Sequence, residues 1–454
     1  MKNYLTIILI LLIFMPVLSL TVAEVPMNGD GSLENPYEIA NLENLRWLSE
    51  NDTVWGDSLN IKYFEQVADI DASDTYTWND GAGFQPIGYT KSIAGSSELE
   101  RKYFYGAYNG NNHKILNLYI NTSQTNYENT GIFGLIENAS ISNLIIDDAT
   151  IVGNSVVGSL VGSGGNSIIE KCSISSLISG DELLGGLAGI LANSQISQVS
   201  AYSILNAQVS GGGLVGLLNN SDLDNSHFTG QINIEENSVN PLFGGLVLTL
   251  LNSNITNSYA NLSSNSTYGG GLVGMGMNSS LDACLFNSDL YSSTSLIVTN
   301  INTSINSSSG LSASSLTNSQ TYAELAWDFE NIWSISAEVN DNFPYLQWTL
   351  NSTSLEDNGV TPITTNKLNI YPNPFNPTTT IEFILDKEED VVLEIYNIRG
   401  QKVRTLNNGL LEAKKHKIVW NGVNDQGKKV ASALYFARLR KASQEITSKL
   451  ILMK

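Results

Sequence analysis

Carboxylates are the side chains in this sequence numerous enough to do chemistry, with 44 Asp and Glu among 454 residues. Between the repeats the candidates are Asp147, Asp148, Glu170, Asp181, Glu182, Asp222, Asp224, Asp282 and Asp289. Glycoside hydrolysis needs two carboxyls about 5–10 Å apart in a groove, and the spacing of these acids matches no such pair on neighbouring repeats. A lyase needs a basic residue as well, and only Lys171 is present there. These acids therefore read as a solvated face. Asp69, Asp71 and Asp74, in ADIDASD, are candidates for a calcium site, because alternate acids on a strand share a face. Capping of turns by the same side chains competes with that reading. The three histidines, His113, His227 and His416, are isolated, so neither a triad nor a histidine-built metal centre is expected. Neither a catalytic residue nor a bound cofactor is called for, apart from the calcium candidates.

Charge narrows the partners. Residues 1–365 carry 8 basic and 35 acidic residues, net −27, whereas residues 366–454 carry 15 and 9, net +6. No Lys or Arg occurs between Lys171 and Lys367. Such a body repels a phosphate backbone, which excludes nucleic acid as its ligand. Residues 1–23 have Lys2, an apolar run from Leu5 to Leu18, and Thr21 and Ala23 before a cleavage point at Glu24. This is the pattern of a secretory signal peptide. No later run is long enough to span a membrane, so the mature chain is expected to have no spanning segment.

The strongest signal is a repeat. The tetrads begin at Gly131, Ser159, Gly186, Gly213, Gly245 and Gly271, with spacings of 28, 27, 27, 32 and 26. Ten residues past each start stand Ile141, Ile169, Ile196, Leu223, Ile255 and Leu281. Thirteen past stand Leu144, Cys172, Val199, Ser226, Ser258 and Cys284. Fifteen past stand Ile146, Ile174, Ala201, Phe228, Ala260 and Phe286. Polar residues alternate with them, which is strand periodicity. About 27 residues is too short for a propeller blade and too rich in Gly, Ser and Asn for helical repeats, but it suits one coil of a parallel β-helix. Tetrad glycines are expected to make the sharp corners. Cys172 and Cys284 would lie four coils, or roughly 19 Å, apart, beyond the reach of a disulfide. Both should be buried free thiols.

The expected fold is all-β, a parallel β-helix followed by a small β-sandwich. Residues 24–130 form an N-terminal cap, including a helix within 36–50, and the first irregular coils. Residues 131–291 are the repeats. Residues 292–350 are a last coil and an aromatic C-terminal cap. Residues 351–366 are a linker, and 367–454 are a separate module with seven candidate strands.

The tetrads resemble the GLUG-motif repeats of bacterial surface and secreted proteins. GDGSLENPYEIANLENLRWLS at 29–49, YFEQVADIDAS at 63–73, FQPIG at 84–88 and YNGNNHKILNLYI at 108–120 look like the segments that precede such repeats. WDFENIW at 327–333 and FPYLQW at 343–348 look like their ending. Residues 367–454 resemble the C-terminal sorting domain of the type IX secretion system, which overlaps an FlgD-like immunoglobulin-type fold. The matching text is YPNPFNPTTTIEF at 371–383, LEIYNIRGQKVRTL at 393–406, IVWNGVNDQGKKVASALYF at 418–436 and KLILMK at 449–454. Ala433 and Lys414-Lys415 stand where that family often has glycine. The resemblance implies a right-handed, adhesin-like helix. It also implies secretion, or attachment to the outer surface of a Gram-negative bacterium, with the type IX machinery as the partner of 367–454. The function expected is non-catalytic adhesion to, or binding of, a glycan or other cell-surface polymer. The alternatives are a polysaccharide-degrading lyase or glycoside hydrolase on the same scaffold, and a passive envelope component.

Overall fold

A computed structural model describes residues 23–351 apart from 94, 237, 292–294 and 337–338, and residues 368–452 apart from 372–374, 376, 386, 398–400, 432 and 442–443. Residues 1–22 of the expected signal peptide, 1–23, and most of the expected linker lie outside the described residues. The chain divides into two compact units, 1–355 and 356–454.

The first unit is a parallel β-solenoid of about 10 turns. One ladder runs its length: Tyr37, Phe64, Tyr108, Ile141, Ile169, Ile196, Leu223, Ile255, Leu281 and Ile305 lie opposite one another in successive coils. From Phe64 to Leu281 every rung is buried, and together they form one continuous apolar core. The columns at thirteen and fifteen residues past each tetrad are interior ladders too. A second sheet stacks the tetrad strands, pairing Phe133, Val161, Ala188, Val215, Val247, Val273 and Ile297 in turn. A third, of six short strands, closes each coil.

Asparagine, not glycine, makes the corners. Asn138, Asn166, Asn193, Asn220, Asn252, Asn278 and Asn302 follow the tetrad strands, all with φ between 47° and 58°. Asparagine tolerates this left-handed region better than other side-chain-bearing residues. A second corner, five residues later, uses Asn143, Lys171, Gln198, Asn225, Asn257, Ala283 and Ser307 in the same conformation. The tetrad glycines keep negative φ and serve close approach instead. A Cβ on Gly245 would sit 2.0 Å from the Gly271 carbonyl oxygen of the next coil.

After each asparagine corner from Asn166 to Asn302 stands a buried hydroxyl. The amides of Ala139, Ser167, Ser194, Ser221 and Ser253 donate to the side-chain oxygens of Ser167, Ser194, Ser221, Ser253 and Ser279, each one coil ahead, at 2.9–3.1 Å. Each of these hydroxyls donates to the carbonyl two residues before it. The second corner repeats the device with Ser226, Ser258 and Ser308 accepting from Val199, Ser226 and Cys284. Cys172 and Cys284 occupy this column. Their thiols point at the carbonyls of Glu170 and Asp282, the place a serine hydroxyl takes in other coils. Both cysteines are free and buried, and burial pushes each thiol up to about 12.

The helix Leu42–Glu50 starts at an Asn41 cap and turns Leu42, Leu45, Trp47 and Leu48 into the core. At the other end the expectation of an aromatic cap needs correction. The segment 312–351 runs back along the flank of the coils. Three indole N–H groups mark its course, donating to Ala283 O from Trp327, to Asn225 Oδ1 from Trp333, and to Gln198 O from Trp348. Trp327, Trp333, Phe343 and Leu346 join Tyr259 and Leu285 in a second apolar core outside the solenoid. The last rung of the interior ladder, Ile305, is left 41% exposed. The physical reason is that Tyr259, Ala283 and Leu285 face outward and are apolar, so the flank has the larger unmet surface.

In the second unit, antiparallel sheets of three strands (Asn369–Tyr371, Thr379–Ile384, Lys415–Trp420) and four strands (Glu389–Asn397, Lys402–Leu411, Ala433–Lys441, Gln444–Leu452) share one core around Phe375, Ile381, Leu393, Ile395 and Trp420. Two buried acids are met by bases: Lys415 and Lys417 flank Glu382 at 2.9 and 3.1 Å, and Lys402 and Arg440 hold Glu394.

Ser221→Ala should destabilise the solenoid by about 1–3 kcal/mol, because the buried Ser194 amide loses its acceptor. Asn220→Gly beside it keeps the left-handed corner and should change stability by only a few tenths of that. Urea denaturation followed by circular dichroism checks both, and equal effects would show that the hydroxyl ladder contributes nothing.

Candidate functional site

Stacking coils in register turns single polar residues into rows, and one such row floors a groove. In the wide sheet, Asn121, Val152, Ser179, Asn206 and Asn233 lie opposite one another on successive coils and face outward. Their neighbours Ile151, Ile178, Leu205 and Ile232 point into the core. Asn233 Nδ2 donates to Asn206 Oδ1 at 2.9 Å. Two residues further along, Asp181, Gln208 and Glu235 form a rim. The groove has a volume of about 450 Å³ and crosses five coils, from Ser123 to Glu235. It is open and shallow. Its strands are hydrogen-bonded on both sides as far as Ile232, and beyond it the Asn265 side chain accepts from the Ile234 amide and donates to the Ile234 carbonyl. The sequence reading named Asp181 but not its companions, although Ser179, Asn206 and Asn233 each stand twenty residues after a tetrad start.

The other acids do not converge. Glu170, Ser197, Asp224, Thr256 and Asp282 form one outward row, so its carboxylates alternate with hydroxyls and lie two coils, or about 9.6 Å, apart. Asp222 accepts from Asn254 at 2.8 Å and Asp224 from Asn225 at 2.7 Å. Burial, helped by Asp222 and Glu170, raises Asp224 above the usual carboxylate range despite the Asn225 bond. Asp147 meets Lys114 at 3.6 Å, and Glu170 meets Lys171 at 3.6 Å. Asp148 occupies a left-handed position, φ 61°. Asp289 accepts the Ala313 amide, while Glu182 and Asp282 are exposed.

The calcium candidates are each engaged locally. Asp69 Oδ1 takes the Lys114 amide at 2.9 Å and faces His113 Nδ1 at 3.2 Å. Asp71 Oδ1 takes the Ser73 amide and Asn117 Nδ2 at 3.0 and 3.1 Å. Asp74 lies exposed in a short 3-10 turn. Among the described residues no three His, Cys, Asp or Glu side chains gather in a way that could hold a metal ion.

The histidines remain apart. His416 stacks on Phe383 in the second unit. His227 is fully buried under the flank segment, stacked on Tyr259 at 4.9 Å and 6°, edge-on to Tyr202 at 5.2 Å, and 6.0 Å from Trp333. Its Nε2 lies 3.4 Å from the Tyr202 hydroxyl, and its Nδ1 has no partner. Desolvation pushes this imidazole down to about 3. The same packing removes Trp327, Trp333 and Phe343 from any role as an exposed sugar platform.

Residues 369–453 match the secretion system C-terminal sorting domain family. Over 143 residues the chain is 36% identical to halomucin of Haloquadratum walsbyi, covering 31% of this chain and 1% of that protein. Over 154 residues it is 33% identical to a protein of Evansella cellulosilytica provisionally named Gly-rich membrane protein, covering 32% of this chain and 15% of that one. The chain thus spans a small part of either relative. Among solved structures it is similar to IgA1 protease, with a TM-score of 0.41 and 18% identity over 60% of this chain and 20% of that one. It is also similar to dimeric latent PorU of Porphyromonas gingivalis, with a TM-score of 0.17 and 19% identity over 24% and 10% of the two chains. No described helix is long and apolar enough to cross a membrane.

Acid should loosen the flank segment. A detached His227 takes up a proton near pH 6.5, whereas the packed one holds out to about pH 3. Between these values each unit of falling pH favours the detached state by about 1.4 kcal/mol. Tryptophan emission should therefore shift to the red on acidification, and His227→Phe should move that transition to lower pH. An unchanged transition in the variant would assign it to other groups.

Proposed function

We propose that this chain, which carries a secretion sorting domain and is directed to the outer surface of a Gram-negative cell, is a non-catalytic β-solenoid that binds a linear surface polymer in the groove floored by Ser179, Asn206 and Asn233. The observation that supports this most is the repetition of one outward polar side chain per coil at a constant rise of about 4.8 Å, flanked by a second polar row. A polymer presents its own groups at regular intervals, so weak hydrogen bonds add along its length. The tetrads' resemblance to GLUG-motif repeats of surface proteins favours the same reading. Engagement of the repeat acids supports a binding role over hydrolysis, because Asp147 is held by Lys114, Asp222 by Asn254 and Asp224 by Asn225. The signal segment 1–23 would begin export, and 367–454 would complete it through the type IX machinery.

A glycan array probed with the mature chain should reveal at least one bound polymer class. Asn206→Ala with Asn233→Ala should weaken that binding about tenfold while leaving circular dichroism unchanged. Reducing-sugar assays on the bound polymer should show no turnover. Measurable release of sugar ends would replace the binding role with a catalytic one.

Deleting 367–454 in a host with type IX machinery should hold the body in the periplasm. Unchanged surface delivery, by protease accessibility of whole cells, would mean that another signal carries export.

A further inference from the structure

We infer that the groove selects a cationic glycan, a linear sugar polymer bearing free amino groups, over neutral and acidic ones; this rests on the polymer-binding reading above. The rim carries the argument. Asp181 and Glu235 stand on the same rim two coils apart, with Gln208 between them on the intervening coil. Their separation along the axis is about 9.6 Å. Neither carboxylate has an ion-pair or hydrogen-bond partner among the described residues, unlike Asp147, Asp222, Asp224 and Asp289 in the same solenoid. No lysine or arginine lies in the sequence between Lys171 and Lys367 to neutralise them. A polyanion entering here would meet two unpaired negative charges and a body of net −27. An ammonium group would meet a counter-charge on every second coil. Like-signed ligands are repelled and opposite-signed ones concentrated by such a field.

The floor points to sugar rather than to a basic peptide. Peptides are usually held by adding a strand to a free sheet edge or by placing side chains in apolar pockets. The groove offers neither a free strand edge nor an enclosed apolar pocket: its strands are paired on both sides as far as Ile232, and it is an open trough in which Val152 and Ala207 lie among Ser179, Asn206 and Asn233. Side-chain amides and a hydroxyl, each both donor and acceptor, suit ring hydroxyls and amines.

The test titrates the mature full-length chain with glucosamine oligomers, their N-acetylated counterparts, polygalacturonate and polylysine. The amino oligomers should bind at least tenfold more tightly than the acetylated ones, and the preference should fade in high salt. Asp181→Asn with Glu235→Gln should bring the two to near equality without changing affinity for the acetylated oligomer. Removing two acids elsewhere, Glu98→Gln with Asp282→Asn, should leave the preference intact. Four outcomes would overturn the inference: equal binding of amino and acetylated oligomers, tighter binding of polygalacturonate, equal binding of polylysine, or equal loss in both double variants. If the two sugar oligomers bind equally and both lose affinity in the Asn206→Ala, Asn233→Ala variant, only the charge selectivity falls. If no polymer binds, the polymer-binding reading falls with it.

Discussion

At each corner of the solenoid a backbone amide leaves its strand, points towards the next coil and must find an acceptor there. Left unmet in a buried position, such a group costs more than a typical hydrogen bond contributes. Serine meets it: the hydroxyl accepts from the coil before and donates to the carbonyl two residues back, so one small side chain satisfies two backbone groups. The geometry holds only if the corner residue is left-handed and the next coil is in exact register. The asparagine before each serine supplies the first condition, and the buried rungs of Ile and Leu supply the second. Sliding one coil by a single residue would reverse which side chains face the core and break every such bond at once.

This constraint explains what could be read in advance. The columns holding Ile141 through Leu281 were legible because the core admits only aliphatic residues there. The corner column from Asn138 to Asn278 is equally regular, yet residue type alone points to the tetrad glycines for the turn. Polar residues are common on any surface, so a polar column carries little information until the backbone angle that selects asparagine is known. The cysteines were placed correctly as buried thiols, but only the corner bonds show why that column tolerates sulfur: the thiol takes the position of the serine donor. The calcium candidates Asp69 and Asp71 did fall near one another, each already holding backbone or side-chain donors. The groove was hidden for another reason. Its floor column is polar at Ser179, Asn206 and Asn233 but not at Val152, and so short a polar run looks like any solvated strand face.

The aromatic segment shows the limit of local reading. Its composition announced burial, but Trp348 meets Gln198 across 150 residues of sequence, and Trp333 meets Asn225 across 108. Nothing in the segment itself chooses the flank over the end. The choice is made by the outward row Ser200, His227, Tyr259 and Leu285, which becomes larger and more apolar towards the C-terminal coils. Where that row turns apolar the sheet needs a cover, and the tryptophans provide it while capping corner groups that would otherwise face water.

The same row sets which part of the wide sheet stays open. Covering the aromatic stretch leaves the outer edge of the wide sheet, at Ser179, Asn206 and Asn233, as polar surface on consecutive coils. His227 belongs to the covered stretch, six residues before Asn233 on the same strand. Held neutral among Tyr202, Tyr259 and Trp333, it fills the space an aromatic side chain would fill, and it adds no charge to a face whose rim acids stand unpaired. A basic residue in that position would have to be desolvated under the tryptophans, a cost that exceeds what packing could return. The absence of positive charge from Lys171 to Lys367 is therefore consistent at every level: the core excludes it, the flank segment excludes it, and the rim acids Asp181 and Glu235 keep their negative charge.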